Sequence, residues 1–154
     1  MDTAEQQVET GKQKGMSLLK SFLSTTPFAP GRRPFFKYRD LGLEGATGGR
    51  MRAYHSTAIS GMVEATGWHY HICEMQFVYV IKGTIVLEFE DGTVGTFTAG
   101  DSLFIPGGVR HNETYASEDK ETLEVSVPGK IGTVNVDRPE GLPERLREVS
   151  NGKP

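Results

Sequence analysis

From residue 35 onward the chain alternates apolar and polar side chains with the period of two that a half-buried strand requires. In 84–89, Ile85, Leu87 and Phe89 alternate with Val86 and Glu88. The run Leu123-Glu124-Val125-Ser126-Val127 alternates as cleanly, and one of its faces must close against a core. Strands are predicted at 35–40, 50–59, 68–71, 76–82, 84–89, 94–98, 102–105, 111–115 and 122–127. The glycine-rich stretch 41–49 separates the first two, and Asp91-Gly92 is a hairpin signal. Short strands at close spacing, with turns between them, predict an all-β sandwich or closed barrel. Before this region the texture differs. Residues 1–15 are polar and expected to be disordered or frayed. Met16, Leu19 and Leu23, with Leu18 and Phe22 beside them, have helical spacing and predict a short helix over 14–24. Thr25-Thr26-Pro27 and Pro30-Gly31 end it. The chain thus divides into an N-terminal extension (1–30), a β-barrel (31–137) and a loosely ordered tail (138–154), with a helical turn or two expected around 143–149.

Composition narrows the function classes. At 154 residues the chain is expected to be one domain with a core large enough to need no disulfide. The single Cys73 cannot form an internal bridge, which suits a reducing compartment. A net charge of -3 with no basic stripe speaks against nucleic acid. The start of the chain has no long apolar core, and no later run reaches the length of a membrane span, so cytoplasmic residence is the expectation.

Two histidines, His69 and His71, sit one residue apart in a predicted strand. Residues i and i+2 share a face, about 6.6–6.8 Å apart, so both imidazoles can converge on one ion. A third, His111, follows a second glycine- and proline-rich landmark. The spacing runs Gly67, His69, His71, Gln76, Gly83, and then Gly100, Pro106, Gly108, His111, with sixteen residues (84–99) between the two blocks.

These two blocks resemble the two sequence motifs of the cupin superfamily. The resemblance implies a double-stranded β-helix, the cupin jelly roll, with one divalent metal ion (Fe, Mn, Ni or Zn) held by His69, His71, His111 and a fourth donor. The family's usual glutamate is Gln76 here, and the asparagine usual near the end of the second motif is Tyr115. The fourth donor is therefore Gln76, whose amide oxygen is neutral, or Glu74, two positions early, or water. Without a carboxylate the ion keeps its full charge, which makes it a stronger Lewis acid and a less tightly held one. Metal binding is expected to fall as pH drops through about 6.5, where free histidines protonate.

Other residues carry weaker signals. His55, Glu74 and Tyr115 are candidate acid/base or pocket groups, although a lone histidine such as His55 is more often structural. Cys73 reads as a plain buried thiol, Trp68, Phe77 and Tyr79 as core and rim, and Arg52 equally as a surface residue. Arg110, alternating with His111, is expected to point away from the site. Taken together, the residues and the resemblance lead to a metal-dependent enzyme acting on a small organic acid or enolisable carbonyl compound, dioxygenase-like. The alternatives are a redox-silent isomerase or lyase of uronate-like compounds, or a small-molecule-binding cupin without turnover. The partners expected are a small molecule and a second copy in a homodimer, with neither nucleic acid nor membrane.

Overall fold

The computed structural model describes residues 8–143. Eleven strands form two antiparallel sheets. In chain order they are β1 (Ala29–Pro30), β2 (Phe36–Asp40), β3 (Arg52–Ala58), β4 (His69–Ile72), β5 (Met75–Lys82), β6 (Thr84–Phe89), β7 (Val94–Thr98), β8 (Ser102–Pro106), β9 (His111–Ala116), β10 (Glu121–Val127) and β11 (Gly132–Asn135). A single helical turn, α1 (Leu43–Ala46), lies between β2 and β3. One sheet runs β1-β2-β3-β10-β5-β8, the other β11-β4-β9-β6-β7. The inner faces of the two sheets enclose one interior, as a jelly roll does. Among the described residues no helix is long and apolar enough to cross a membrane.

All nine expected strands are present, with ends shifted by a residue or two. β1 and β11 are additions. Both are short and begin beside proline or glycine, so neither carries a legible period of two. The expected helix over 14–24 is absent, replaced by turns and extended chain. A helix this short is marginal without packing, and the Ser17 N–H is instead spent on the Ala46 carbonyl at 2.8 Å. Leu18, Phe22 and Leu23 stay exposed. The helical turn expected around 143–149 lies almost wholly outside the described residues.

Cross-strand register divides the interior into two kinds of surface. On the six-stranded sheet, one inward row runs Arg52, Ser126, Gln76, Ile105, and the next Asp40, Tyr54, Glu124, Val78, Leu103. A third runs Tyr38, Ser56, Thr122, Val80. Polar side chains thus come from β2, β3 and β10, and those of β5 and β8 are apolar except for Gln76. Val78, Val80 and Ile105 join Phe35, Phe36, Ile85, Leu87 and Ala116 in one buried cluster that closes one end of the barrel. Each such side chain contributes about 1.5–3 kcal/mol by leaving water. The outward residues of β5 and β8 remain apolar, and Tyr79, Ile81 and Phe104 are exposed.

A charged group sits against this cluster. Lys120 is buried, and its Nζ donates to Ser56 Oγ at 2.6 Å. The same ammonium lies 4.0 Å from the centre of the Phe36 ring and 3.7 Å from Glu124 Oε1. A hydroxyl, a ring face and a carboxylate together replace the water it has lost.

If the apolar cluster is the main source of stability, Leu87→Ala should lower the unfolding free energy by about 2–5 kcal/mol. Phe104→Ser, on the exposed face, should change it by less than ~0.5 kcal/mol. Urea titration of both variants measures this, and equal losses would refute the assignment of the core.

Candidate metal centre

In β4, His69 and His71 point inward while Ile72 is exposed. His111 opens β9, and its Cα pairs in register with that of His69. The ring centres are 4.4 Å apart for His69 and His111, 5.2 Å for His69 and His71, and 5.3 Å for His71 and His111. One nitrogen from each ring lies within 4.8 Å of the others. With bonds of about 2.0–2.1 Å to imidazole nitrogen, one divalent ion fits such a triangle after a small inward movement of the rings.

The remaining ring nitrogens fix the donor atoms. His69 Nδ1 lies 2.8 Å from the Gly67 carbonyl, and His111 Nδ1 2.9 Å from the Val109 carbonyl. A carbonyl only accepts, so both Nδ1 atoms carry the proton and both Nε2 atoms present a lone pair. His71 Nδ1 meets Thr133 Oγ1 at 3.0 Å. Such outer hydrogen bonds orient ligand rings and raise their basicity. Burial also keeps the imidazoles neutral, the form that binds metal. It pulls His69 down to about 4, with the charges of His111, Arg33 and Arg32 adding to the effect. It pulls His71 down to about 3, with His111 and His69 adding, and it lowers His111 as well.

Backbone clamps hold the two motifs together. The Gly107 N–H donates to the Glu74 carbonyl at 2.9 Å and the Gly108 N–H to the His71 carbonyl at 3.0 Å. A Cβ on Gly107 would overlap the Cys73 carbonyl oxygen, so only glycine permits this approach. The turn before β9 is thereby fastened to the β4–β5 turn, and His111 to His71.

His69 and His71 face a cavity of about 560 Å³, whose wall also includes Gln76, Tyr38, Tyr54, Glu113 and Glu124. Gln76 lies on the inward face of β5, on the same wall as the two β4 histidines. Its amide oxygen is a neutral donor of a kind a borderline divalent ion accepts beside imidazole nitrogens.

The three tentative pocket groups lie elsewhere. Glu74 is exposed in the two-residue turn between β4 and β5, and its backbone is bound to Val127 and Gly107, so it is not placed as a ligand. His55 sits between inward Tyr54 and Ser56, hence on the outer face of β3. There its Nε2 meets Glu121 Oε2 at 3.3 Å and its ring packs edge-on against Phe28. Tyr115 fails for a subtler reason. Counting by twos from His111 puts it inside, but the register shifts between Val86 and Leu87, which leaves Thr114 as an extra residue in β9. Glu113 therefore pairs with buried Leu87, while Tyr115 pairs with Val86, between two core residues and so on the other face. Arg110 does turn away and binds Glu90 at 2.6 Å.

Several cavity residues went unread in the sequence. Glu113 follows His111 by two, a signal that was available. Burial, reinforced by the charge of Glu124, pushes its carboxyl above the usual range. Arg52 and Tyr54 share the inward parity of β3, and Arg52 lines the cavity instead of lying on the surface. Thr133 stands on the unpredicted β11, and Arg32 and Arg33 on a loop whose position no pattern gives.

Comparison with known proteins agrees with this architecture. A family model described as "Cupin domain" matches residues 62–127, a span that holds all three histidines and Gln76. No curated protein sequence matches the chain. Among solved structures, the polyketide cyclase RemF from Streptomyces resistomycificus aligns with a TM-score of 0.62 and 20% identity, over 80% of this chain and 89% of that one. A nucleoside dehydratase from Streptomyces aligns with a TM-score of 0.58 and 11% identity, over 83% of this chain and 100% of that one. An RmlC-like cupin from Shewanella frigidimarina NCIMB 400 gives 0.56 and 22%, over 74% and 94%. At these identities the structural likeness is one of fold. With both motifs brought to one jelly-roll interior and the family match spanning them, residues 62–127 of this chain form a cupin domain.

Proposed function

We propose that the protein is a metal-dependent cupin enzyme that moves protons on a small enolisable carbonyl compound, as an isomerase or lyase does. The observation that carries this reading is the make-up of the cavity. His69, His71 and Gln76 stand on a wall shared with three carboxyl side chains and two tyrosines, and His111 clusters with the other two imidazoles. A divalent ion held by His69, His71, His111 and Gln76 would act as a Lewis acid that polarises a ligand carbonyl. Because none of the four donors is anionic, none of the ion's charge is cancelled by the protein. Glu124 is fixed by the Thr122 hydroxyl at 3.1 Å and the Lys120 ammonium at 3.7 Å, so its carboxyl group is held against the cavity in one orientation. Tyr38 and Tyr54 add phenolic groups. Burial, with the nearby carboxylates of Glu124 and Glu113, pushes the Tyr38 hydroxyl well above its ordinary range, so it is a proton donor and not a base. Acid and base groups of this kind serve proton transfer, and polar chemistry of that class suits the cyclase and dehydratase activities of two structural neighbours. The dioxygenase-like reading needs an open position at a redox-active ion but has no use for these groups, and it stands as the second reading.

Purified protein should carry near-stoichiometric divalent metal by elemental analysis. His71→Ala should lose it. Thr133→Val should weaken binding about 10- to 100-fold through the His71 ring, and Gln76→Glu should tighten it by more than about tenfold by adding an anionic donor. Full occupancy in His71→Ala, or weaker binding in Gln76→Glu, would sink the ligand assignment.

The lowered histidine values move the pH window below the 6.5 expected from free imidazole. In folded protein, protons should compete with metal only toward about 4. In metal-free protein the unfolded histidines take up protons below about 6.5, while the folded ones do so only near 4 and 3. The unfolded state then binds more protons, and stability falls as pH drops through that interval. Metal retention and thermal melting between pH 7 and 4 read both effects. A melting temperature that rises on acidification would contradict the burial of neutral imidazoles.

The two chemical readings separate in heavy water. Incubated with a panel of enolisable carbonyl compounds, the metal-loaded enzyme should exchange a carbon-bound proton for deuterium by NMR, without consuming oxygen. Glu124→Gln should slow exchange at least ~100-fold while keeping its metal. Oxygen uptake with no exchange would select the dioxygenase reading instead.

A further inference from the structure

The same cavity wall carries three guanidinium groups, Arg32, Arg33 and Arg52. Among the described residues, none of their side chains forms an ion pair or donates a hydrogen bond. The cavity carboxyls are differently placed. Glu124 has Lys120 and Thr122, and Asp40 Oδ1 accepts the Gly42 N–H at 2.8 Å. Neither Glu113 nor Asp40 has a side-chain partner among the described residues, so three guanidinium groups outside any ion pair share the wall with two such carboxyls. Arg33 and Arg52 are half-buried, where water screens charge less than it does at exposed Arg32.

The arrangement is also shaped. The Arg52 guanidinium carbon lies 4.5 Å from the centre of the Tyr54 ring. Stacking uses the face of the group and leaves its in-plane N–H atoms free for a two-pronged contact with a carboxylate or phosphate. Arg32 and Arg33 follow Gly31, whose Cα lies so close to the Tyr38 ring that a Cβ would overlap it, so this loop is seated on the cavity wall. Ser126 lies between Arg52 and Gln76 in one inward row. It is 3% exposed, and its Oγ is one of two buried side-chain oxygens or nitrogens among the described residues without a partner. A buried hydroxyl with nothing to bind is uncommon, and here it stands beside an arginine in the same condition.

We propose that Arg52, Ser126 and the Arg32–Arg33 loop form a subsite for an anionic group of the ligand, a carboxylate or a phosphate, centred on Arg52, two strands away from Gln76. Two strand spacings are about 10 Å, so the ligand bridges a distal anion and the metal end. The subsite rests on the proposed function only for that second end.

The test titrates the purified protein calorimetrically with inorganic phosphate and, separately, with succinate, before and after removal of metal by a chelator. At least one anion should bind saturably in both states, and which one does so tells phosphate from carboxylate. Arg52→Gln should weaken binding about tenfold or more, the loss of a charge-assisted pair. Arg32→Gln/Arg33→Gln should weaken it less, and Lys37→Gln, on the outward face of β2, should leave it unchanged. The loop variant keeps the test decisive if Arg52→Gln does not fold. No saturable binding of either anion, or unchanged affinity in the arginine variants, would overturn the subsite. So would binding that vanishes with the metal while the arginine variants bind normally, since the anion would then sit at the histidines. His71→Ala separates the two readings. If it keeps its metal, the ligand assignment fails, whereas retained phosphate or succinate binding leaves the subsite standing.

Discussion

Everything at the site depends on burying three imidazole rings together while keeping them neutral. Polar rings removed from water destabilise a fold unless their N–H groups find partners. Here each Nδ1 has one, in the Gly67 carbonyl, the Val109 carbonyl or the Thr133 hydroxyl. Two of these acceptors come from the turns just before β4 and β9, two residues ahead of the histidine they serve. The short connections that begin those strands therefore set the tautomer, and the tautomer turns the free nitrogen inward. The approach of Gly107 to Cys73 then fixes how far the turn before β9 lies from the β4–β5 turn. Ring spacing, proton position and donor direction all follow from backbone geometry that only a few residues can adopt.

A polar interior needs a source of stability elsewhere, and the register supplies it. β5 and β8 turn Val78, Val80, Leu103 and Ile105 toward the core, and β6 adds Ile85 and Leu87. β3 and β10 turn Arg52, Tyr54, Glu124 and Ser126 toward the cavity. Lys120 sits where the two surfaces meet. It touches the Phe36 ring on one side and is paired with Glu124 on the other, so one side chain ties a cavity group to the apolar floor. Such a charge adds little net stability, because desolvation offsets much of the attraction. Its effect is to hold Glu124 in a single orientation.

The fold was legible because glycine, histidine and proline in two spaced blocks report turns and ligands directly, and because alternation reports strands. Alternation does not report which face turns inward. In β10 the polar set, Thr122, Glu124 and Ser126, faces the interior, while Leu123 and Val125 face out. A reading that puts apolar residues inside chooses the wrong face, and Glu124 is missed for that reason. Tyr115 was misplaced by one extra residue in β9, since a bulge reverses parity and leaves no mark in composition. His55 had chemistry but the wrong parity, and Arg52 the right parity but a residue type usually found at the surface. Thr133 and the Arg32–Arg33 loop enter the cavity through long-range packing, which local pattern does not encode.

Charge balance connects Gln76 to the arginines. In a site with a carboxylate donor, the protein neutralises part of the ion's charge before any ligand arrives. With Gln76 and three neutral imidazoles it neutralises none. The same cavity then adds three guanidinium groups, with Asp40 and Glu113 as the cavity carboxyls lacking a side-chain partner among the described residues. Arg33 and Arg52 are half-buried, so water screens their charge less than that of exposed Arg32. On the proposed reading the compensating negative charge would come from the ligand, and glutamine at the fourth position would move an anionic role from the protein to it. The neutral donor set and the unpaired arginines are two expressions of one constraint on what the barrel can bind.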